Sequence, residues 1–140
     1  MPGNDVNLAS RLEGLCKLYG VGIIIGDKTR AEVTDYATLE LDLVMVKGKT
    51  EPEHAHALLG GIELAKTAKY QELVTCQTAF LTHYRAGSFA KALSLIEACE
   101  QAAAAAGWEQ GYYDMMRARV DELIKDPPAD WTGVYVAREK

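Results

Sequence analysis

The 140-residue chain has no long hydrophobic run, no run of basic residues and only three cysteines. No segment approaches the roughly 20 apolar residues that a membrane-spanning helix requires. The polar start MPGNDVN also lacks the apolar core of a signal peptide. A net charge of −5 without a basic cluster argues against a nucleic-acid-binding surface. We therefore expect a soluble chain with no membrane contact and no nucleic-acid partner.

The cysteines are odd in number and widely spaced, at Cys16, Cys76 and Cys99. This arrangement disfavours a disulfide framework or a zinc site and favours reduced thiols in a cytoplasmic setting. Each cysteine has apolar neighbours within a helical pattern, and no basic neighbour would lower the pKa of its thiol. We interpret all three as small buried hydrophobic residues.

The first part of the chain shows both helical and strand patterns. Apolar residues recur at helical spacing from Val6 to Tyr19, and Gly20 provides a stop. VGIII predicts a short buried strand, and Asp27 is a candidate N-cap for a brief helix through Val33. A strand over residues 36–46, a turn and the segment HAHALL then form a predicted hairpin. Apolar residues alternate along its first strand and define its buried face: Leu39, Leu41, Leu43 and Met45.

The rest of the chain is helical in pattern. Apolar positions recur every three or four residues over 62–84, 89–105 and about 109–124. Gly87 and Ser88 predict the end of one helix and the cap of the next. The tail after Pro128 either adds a strand or lies across the surface. We accordingly divide the chain into residues 1–59 and a helical extension over residues 60–140. The aromatic residues of the extension are expected in the core or at docking positions: Trp108, Tyr112, Tyr113 and Trp131.

Two short patterns could bind an anion. Asn7 and Arg11 lie four residues apart, on one face of the predicted first helix, where an amide and a guanidinium could hold phosphate oxygens. The VKGK turn offers Lys47 beside Gly48, which lets a ligand approach the backbone closely. Spacing alone also fits a solvated arginine and a common lysine–glycine loop. His54 and His56 share a strand face, but without a third ligand we interpret them as exposed or core histidines.

Taken together and in order, these patterns resemble a known family. GNDVNLASRLEGLCKLYGVGIIIGDKTR followed by LELDLVMVKGKTEP resembles the C-terminal half of the catalytic domain of class III adenylate and guanylate cyclases. The later segments HYRAGSFAKALSLIEACE and DPPADWTGVYVAREK are similar to a helical tail found in some bacterial cyclases of this class. The resemblance implies an α+β fold: a βαββ-like portion of a ferredoxin-like cyclase domain, followed by about three helices.

The resemblance also implies roles for three residues. Asn7 corresponds to the asparagine that positions the ribose, and Arg11 to the catalytic arginine that stabilises the pentavalent phosphorus. Lys47 corresponds to the lysine that neutralises the triphosphate. The implied reaction is conversion of ATP to 3′,5′-cyclic AMP and pyrophosphate, at a site that two domains build across a dimer interface.

Some of the family's features have no counterpart in this sequence. The family's two aspartates for Mg²⁺ or Mn²⁺, and its base-selecting residues, precede the segment that matches. We therefore expect no metal site in this chain and no turnover by the chain alone. ATP and GTP stay alternative substrates, because the residues that select the base precede the matching segment. A partner would be a second copy or the missing cyclase half. We also expect VGIII and the strand over residues 36–46 to lack the neighbours that the missing first strands would supply, which would favour self-association. The alternative is a non-enzymatic cyclase remnant that acts as an interaction or regulatory module.

Overall fold

A computed structural model describes residues 13–45 and 51–136. Within these ranges the protein is a mixed α/β structure with one four-stranded sheet and six helices. We name the helical residues 13–19 α1. The other helices are α2 (Asp27–Glu32), α3 (Ile62–Ala65), α4 (Ala68–Arg85), α5 (Phe89–Ala105) and α6 (Tyr112–Lys125). The strands are β1 (Ile24–Ile25), β2 (Ala37–Met45), β3 (Glu53–Gly60) and β4 (Tyr135–Val136).

The strands lie in the order β1-β3-β2-β4. Strands β2 and β3 form the predicted antiparallel hairpin, and β1 pairs antiparallel with the other edge of β3. Only Ile24 and Ile25 of the VGIII segment are in β1. The tail adds strand β4, which pairs parallel with the end of β2 through Val44 opposite Tyr135. The strands β1 and β2 therefore have neighbours, and the expectation that they would lack them is wrong.

A bulge in β2 changes which side chains of the strand are buried. Glu40 pairs with His56 and Asp42 with Ala55, so Leu41 is an extra residue opposite β3. Leu39 and Leu41 are buried as the alternation predicts. Beyond the bulge the pattern shifts by one residue: Asp42 and Val44 are buried, and Leu43 and Met45 are only partly so. The prediction for Leu43 and Met45 is wrong because one inserted residue moves every later side chain to the opposite face.

Helices α4, α5 and α6 form the second layer. Apolar residues from sheet and helices make one continuous core, which includes Leu41, Leu73, Phe80, Ile96 and Met116. The predicted helix over 62–84 is two helices, because the Thr67 hydroxyl accepts a hydrogen bond from the Tyr70 N–H and starts α4 anew. Trp108, Tyr112 and Tyr113 are buried, and Trp131 packs against the core, as predicted. None of the helices described is both long and apolar enough to cross a bilayer.

Side chains of the helical layer form hydrogen bonds with backbone groups of β2 along the part of its edge that β4 does not cover. The Tyr70 hydroxyl accepts from the Thr38 N–H at 3.1 Å and donates to the Thr38 carbonyl at 2.6 Å. Further along the strand, Gln77 donates to the Glu40 carbonyl and Tyr112 to the Leu41 carbonyl. Hydrogen-bonding groups that would otherwise attract another strand are thus occupied.

We predict that Tyr70→Phe destabilises the protein by about 1–3 kcal/mol, because it leaves buried N–H and C=O groups of Thr38 without a partner. Urea unfolding followed by circular dichroism measures the change. Tyr36→Phe is the matched control, since Tyr36 is 41% exposed. Equal unfolding midpoints for the two variants would show that the hydroxyl of Tyr70 does not stabilise this edge.

Candidate functional site

The three residues for which the resemblance implies a role lie outside the described part of the chain. Asn7 and Arg11 precede α1 in sequence, and Lys47 follows the last residue of β2, Met45, by two positions. The described structure therefore shows the elements next to these residues in sequence: α1 follows Arg11, and the end of β2 precedes Lys47. Those elements, α1 and the end of β2, meet at a buried polar cluster.

The cluster is centred on Asp42, whose side chain is 0% exposed. Its Oδ2 accepts hydrogen bonds from the Tyr19 hydroxyl at 2.7 Å and from Arg119 Nη1 at 2.6 Å. Its Oδ1 accepts from the Leu43 N–H at 2.9 Å. The carboxylate thus joins α1 and α6 to β2. Removing one partner of a buried ion pair of this kind typically costs about 3–5 kcal/mol.

Aromatic rings surround the guanidinium of Arg119, which is 8% exposed. Its Nη1 also donates to the Tyr84 hydroxyl at 3.2 Å. The guanidinium carbon lies 3.4 Å from the ring centroid of Tyr135 and 5.5 Å from that of Tyr19. Its Nη2 is buried and has no hydrogen-bond partner in the described structure. The ring of Tyr135 gives this cation a favourable electrostatic contact where a further acceptor is lacking.

Burial dominates the protonation chemistry of the cluster. It raises the pKa of Asp42, and Arg119, the Tyr19 hydroxyl and the Leu43 N–H oppose this by stabilising the carboxylate. Burial, together with the charge of Asp42, also raises the pKa of Tyr19, so this hydroxyl stays protonated and donates. The cluster holds elements together and does not resemble a solvent-accessible acid–base pair.

Sequence reasoning missed this cluster. The alternation along β2 placed Asp42 opposite the buried leucines, where a charged residue is expected to be solvated. An aspartate within the apolar segment LDLVMV is the one signal that could have pointed to it. Its counterion is 77 residues away in sequence, in α6.

A second polar cluster joins α2 to β3. His54 Nδ1 and His56 Nε2 lie 3.0 and 2.8 Å from the two carboxylate oxygens of Asp27. His54 Nε2 also lies 3.5 Å from a carboxylate oxygen of Glu40, which Arg85 binds at 2.7 Å. Gly26 is the N-cap of α2 and Asp27 lies in its first turn, so the prediction of Asp27 as N-cap is wrong. Of the two histidines, His56 is 10% exposed and His54 41%, and the carboxylate of Asp27 that contacts both was not predicted.

Neither cluster is arranged as a metal site. The oxygens of Asp42 are already bound by a cation and two further donors. Across residues 13–45 and 51–136, no group of three or more His, Cys, Asp or Glu side chains could hold an ion. The described residues thus do not fit the two-metal chemistry of the family that the sequence resembles.

The cysteines are free thiols with unequal burial. Cys99 is buried, and this burial, with Cys76 nearby, raises the pKa of its thiol to about 12. Cys16 and Cys76 are only partly buried. The interpretation as buried hydrophobic residues is therefore confirmed for Cys99 and only partly correct for the other two.

Comparison with known proteins gives one informative relative. No family model and no solved structure matches the chain. The chain is 28% identical over 103 residues to a Dictyostelium discoideum protein named "Adenylate cyclase, terminal-differentiation specific". The match covers 71% of this chain and 5% of that protein. The chain thus spans a small part of its relative, and the similarity indicates a cyclase-related sequence.

We predict that Asp27→Asn destabilises the protein by at most about 1 kcal/mol at neutral pH, because the Asp27 side chain is 61% exposed and solvent screens its contacts. Burial alone would raise the pKa of Asp27, but His56 and His54 outweigh it and lower the pKa. The stabilisation from a lowered carboxyl pKa is present above the unfolded value, about 4, and disappears as pH falls through the folded value.

Chemical denaturation of parent and variant from pH 7 down to pH 3 measures this difference. The exposed Asp35→Asn is the control and should show little difference at any pH. A difference between parent and Asp27→Asn that grows below pH 4 would contradict the assignment.

Proposed function

We propose that this chain is the C-terminal part of a class III adenylate or guanylate cyclase catalytic domain, followed by a helical extension of bacterial type. The observation that carries the proposal is the similarity to an adenylate cyclase over 103 residues. The family's asparagine and arginine, and its V-K-G-K lysine, have counterparts in the same order at Asn7, Arg11 and Lys47.

The order of elements supports this proposal. After α1 the chain continues as β1, α2, β2 and β3, which is the βαββ order that the resemblance implies. The hairpin of β2 and β3 brackets the VKGK turn in sequence. The α+β architecture is compatible with the C-terminal portion of a ferredoxin-like cyclase domain, with residues 60–140 as its helical extension.

In the proposed reaction the ribose 3′-oxygen of ATP attacks the α-phosphorus in line, and pyrophosphate leaves. Asn7 would orient the ribose, and Arg11 would donate to the phosphorus oxygens as charge develops on them in the transition state. Lys47 would neutralise the triphosphate in both ground and transition states. A GTP substrate would be handled by the same three residues, since none of them contacts the base in this proposal.

The proposed cofactor, Mg²⁺ or Mn²⁺, would polarise the phosphate and activate the 3′-hydroxyl when bound. The aspartates for these ions belong to the first half of the family's domain, and the described residues of this chain do not replace them. We therefore propose that the active assembly is a dimer, either of complete domains or of this chain with the metal-binding half.

We predict that the 140-residue chain alone makes no cyclic nucleotide from ATP or GTP with either ion. Mass-spectrometric detection of cyclic AMP and cyclic GMP tests this, and the chain joined to the metal-binding half of a class III domain is the positive control. Product that scales with chain concentration and disappears in Arg11→Ala would contradict the prediction. A joined protein that is also inactive would favour the non-enzymatic interaction module.

In the joined protein we predict different kinetic effects for the two cationic residues. Arg11→Ala should lower kcat by about 10²–10³, because such a donor acts mainly in the transition state. Lys47→Ala should chiefly raise KM, since the triphosphate charge is present throughout. Lys28→Ala, which removes an exposed cation, is the control and should change neither constant. Equal kcat for Arg11→Ala and the parent would remove the basis for its assigned role.

A further inference from the structure

The start of α6 packs directly on the end of α1. The Gly111 N–H donates to the Gly20 carbonyl at 2.8 Å. Gly20 has a φ of +69°, and an added Cβ there would lie 3.1 Å from the Gly111 carbonyl carbon. A side chain at position 20 would thus be strained and crowded. The rings of Tyr19, the last residue of α1, and Tyr112, the first residue of α6, lie 6.3 Å apart.

Helix α6 and strand β4 also contact the end of β2. Arg119 binds Asp42 at 2.6 Å, and β4 pairs with β2 at Val44 and Met45. Tyr135 of β4 in turn covers the guanidinium of Arg119. The extension therefore contacts both α1 and the end of β2, the elements next to the proposed nucleotide-binding residues. The carboxylate of Asp42 joins these contacts, because Tyr19 and Arg119 both donate to it.

We propose that Arg119 is a positioning residue for the cyclase site: from the helical extension it fixes α1, through Asp42 and Tyr19, against the end of β2. This inference rests on the proposed function for its consequence in catalysis. Arg11 lies eight residues before Tyr19, and Lys47 lies five residues after Asp42. A catalytic arginine and a phosphate-binding lysine must keep one mutual geometry, because displacements of about 1 Å can lower rates about 10²-fold.

Arg117 offers a matched control on the same helix. It lies two residues from Arg119, but it is 42% exposed and pairs with Glu100 and Asp114 at the surface. Exposed pairs of this kind contribute little to stability. Arg117→Met and Arg119→Met therefore make the same chemical change, at the surface and in the buried cluster respectively.

The first test is amide hydrogen exchange on the full 140-residue chain under native conditions. In Arg119→Met, residues 13–19 should exchange about tenfold faster or more, because losing the ion pair lets α1 open locally. Residues 38–40, in the β2–β3 ladder, should change much less, and Arg117→Met should leave both regions unchanged. Tyr19→Phe, which removes the hydrogen bond from α1 to Asp42 but keeps the ion pair, should accelerate exchange in residues 13–19 as well.

If Arg119→Met fails to fold, the double variant Asp42→Asn with Arg119→Met takes its place, since it leaves no uncompensated buried charge. Unchanged exchange of residues 13–19 in the folded variant would overturn the inference. So would an equal acceleration of all protected amides, which indicates global destabilisation without a specific link.

The second test measures kinetics in the joined protein. Arg119→Met should lower kcat by about tenfold or more while the protein stays folded, Arg119→Lys should recover part of the loss, and Arg117→Met should have little effect. Parental kcat in folded Arg119→Met would overturn the inference. If the joined protein lacks activity with Arg119 intact, the proposed function is overturned. The hydrogen-exchange comparison still tests whether Arg119 positions α1 against β2, because it does not depend on activity.

Discussion

The rest of the fold depends on one buried ion pair, between Asp42 and Arg119. Removing two charges from water costs several kcal/mol for each ion, and their attraction offsets this only with close geometry and further hydrogen bonds. Here those bonds come from Tyr19, Tyr84 and the Leu43 amide, while the ring of Tyr135 covers the cation. Two strands and three helices thus contribute to one cluster. Replacing either Asp42 or Arg119 in the folded protein would leave the other charge buried without its partner.

The bulge in β2 is what makes this arrangement possible. One extra residue at Leu41 turns Asp42 toward the helices, and in a regular strand its side chain would share the opposite face with Glu40. That opposite face carries a different set of charges, in which Asp27 bridges two histidines and Glu40 binds Arg85. Polar groups on the two faces of the sheet are therefore paired separately.

In our proposal the helical extension supports the cyclase site from outside it. It caps the edge of β2 through Tyr70, Gln77 and Tyr112, and it supplies Arg119. In this proposal the residues that contact nucleotide lie in the first part of the chain, and the residues that hold their elements in place lie in the second. Changes at the helices could then alter turnover without any contact with the substrate.

Local patterns were enough to predict several elements of the fold. Helix α5, the β2–β3 hairpin and the buried aromatic residues follow from periodicity, turn residues and apolar content, which act within a few residues of each other. The candidate roles of Asn7, Arg11 and Lys47 came from the resemblance to the cyclase family. The bulge in β2, the burial of Asp42 and its pairing with Arg119 follow from long-range packing. An aspartate among apolar residues is the one local signal, and it does not identify the partner, because the energy of a buried charge depends on a counterion that folding brings from 77 residues away.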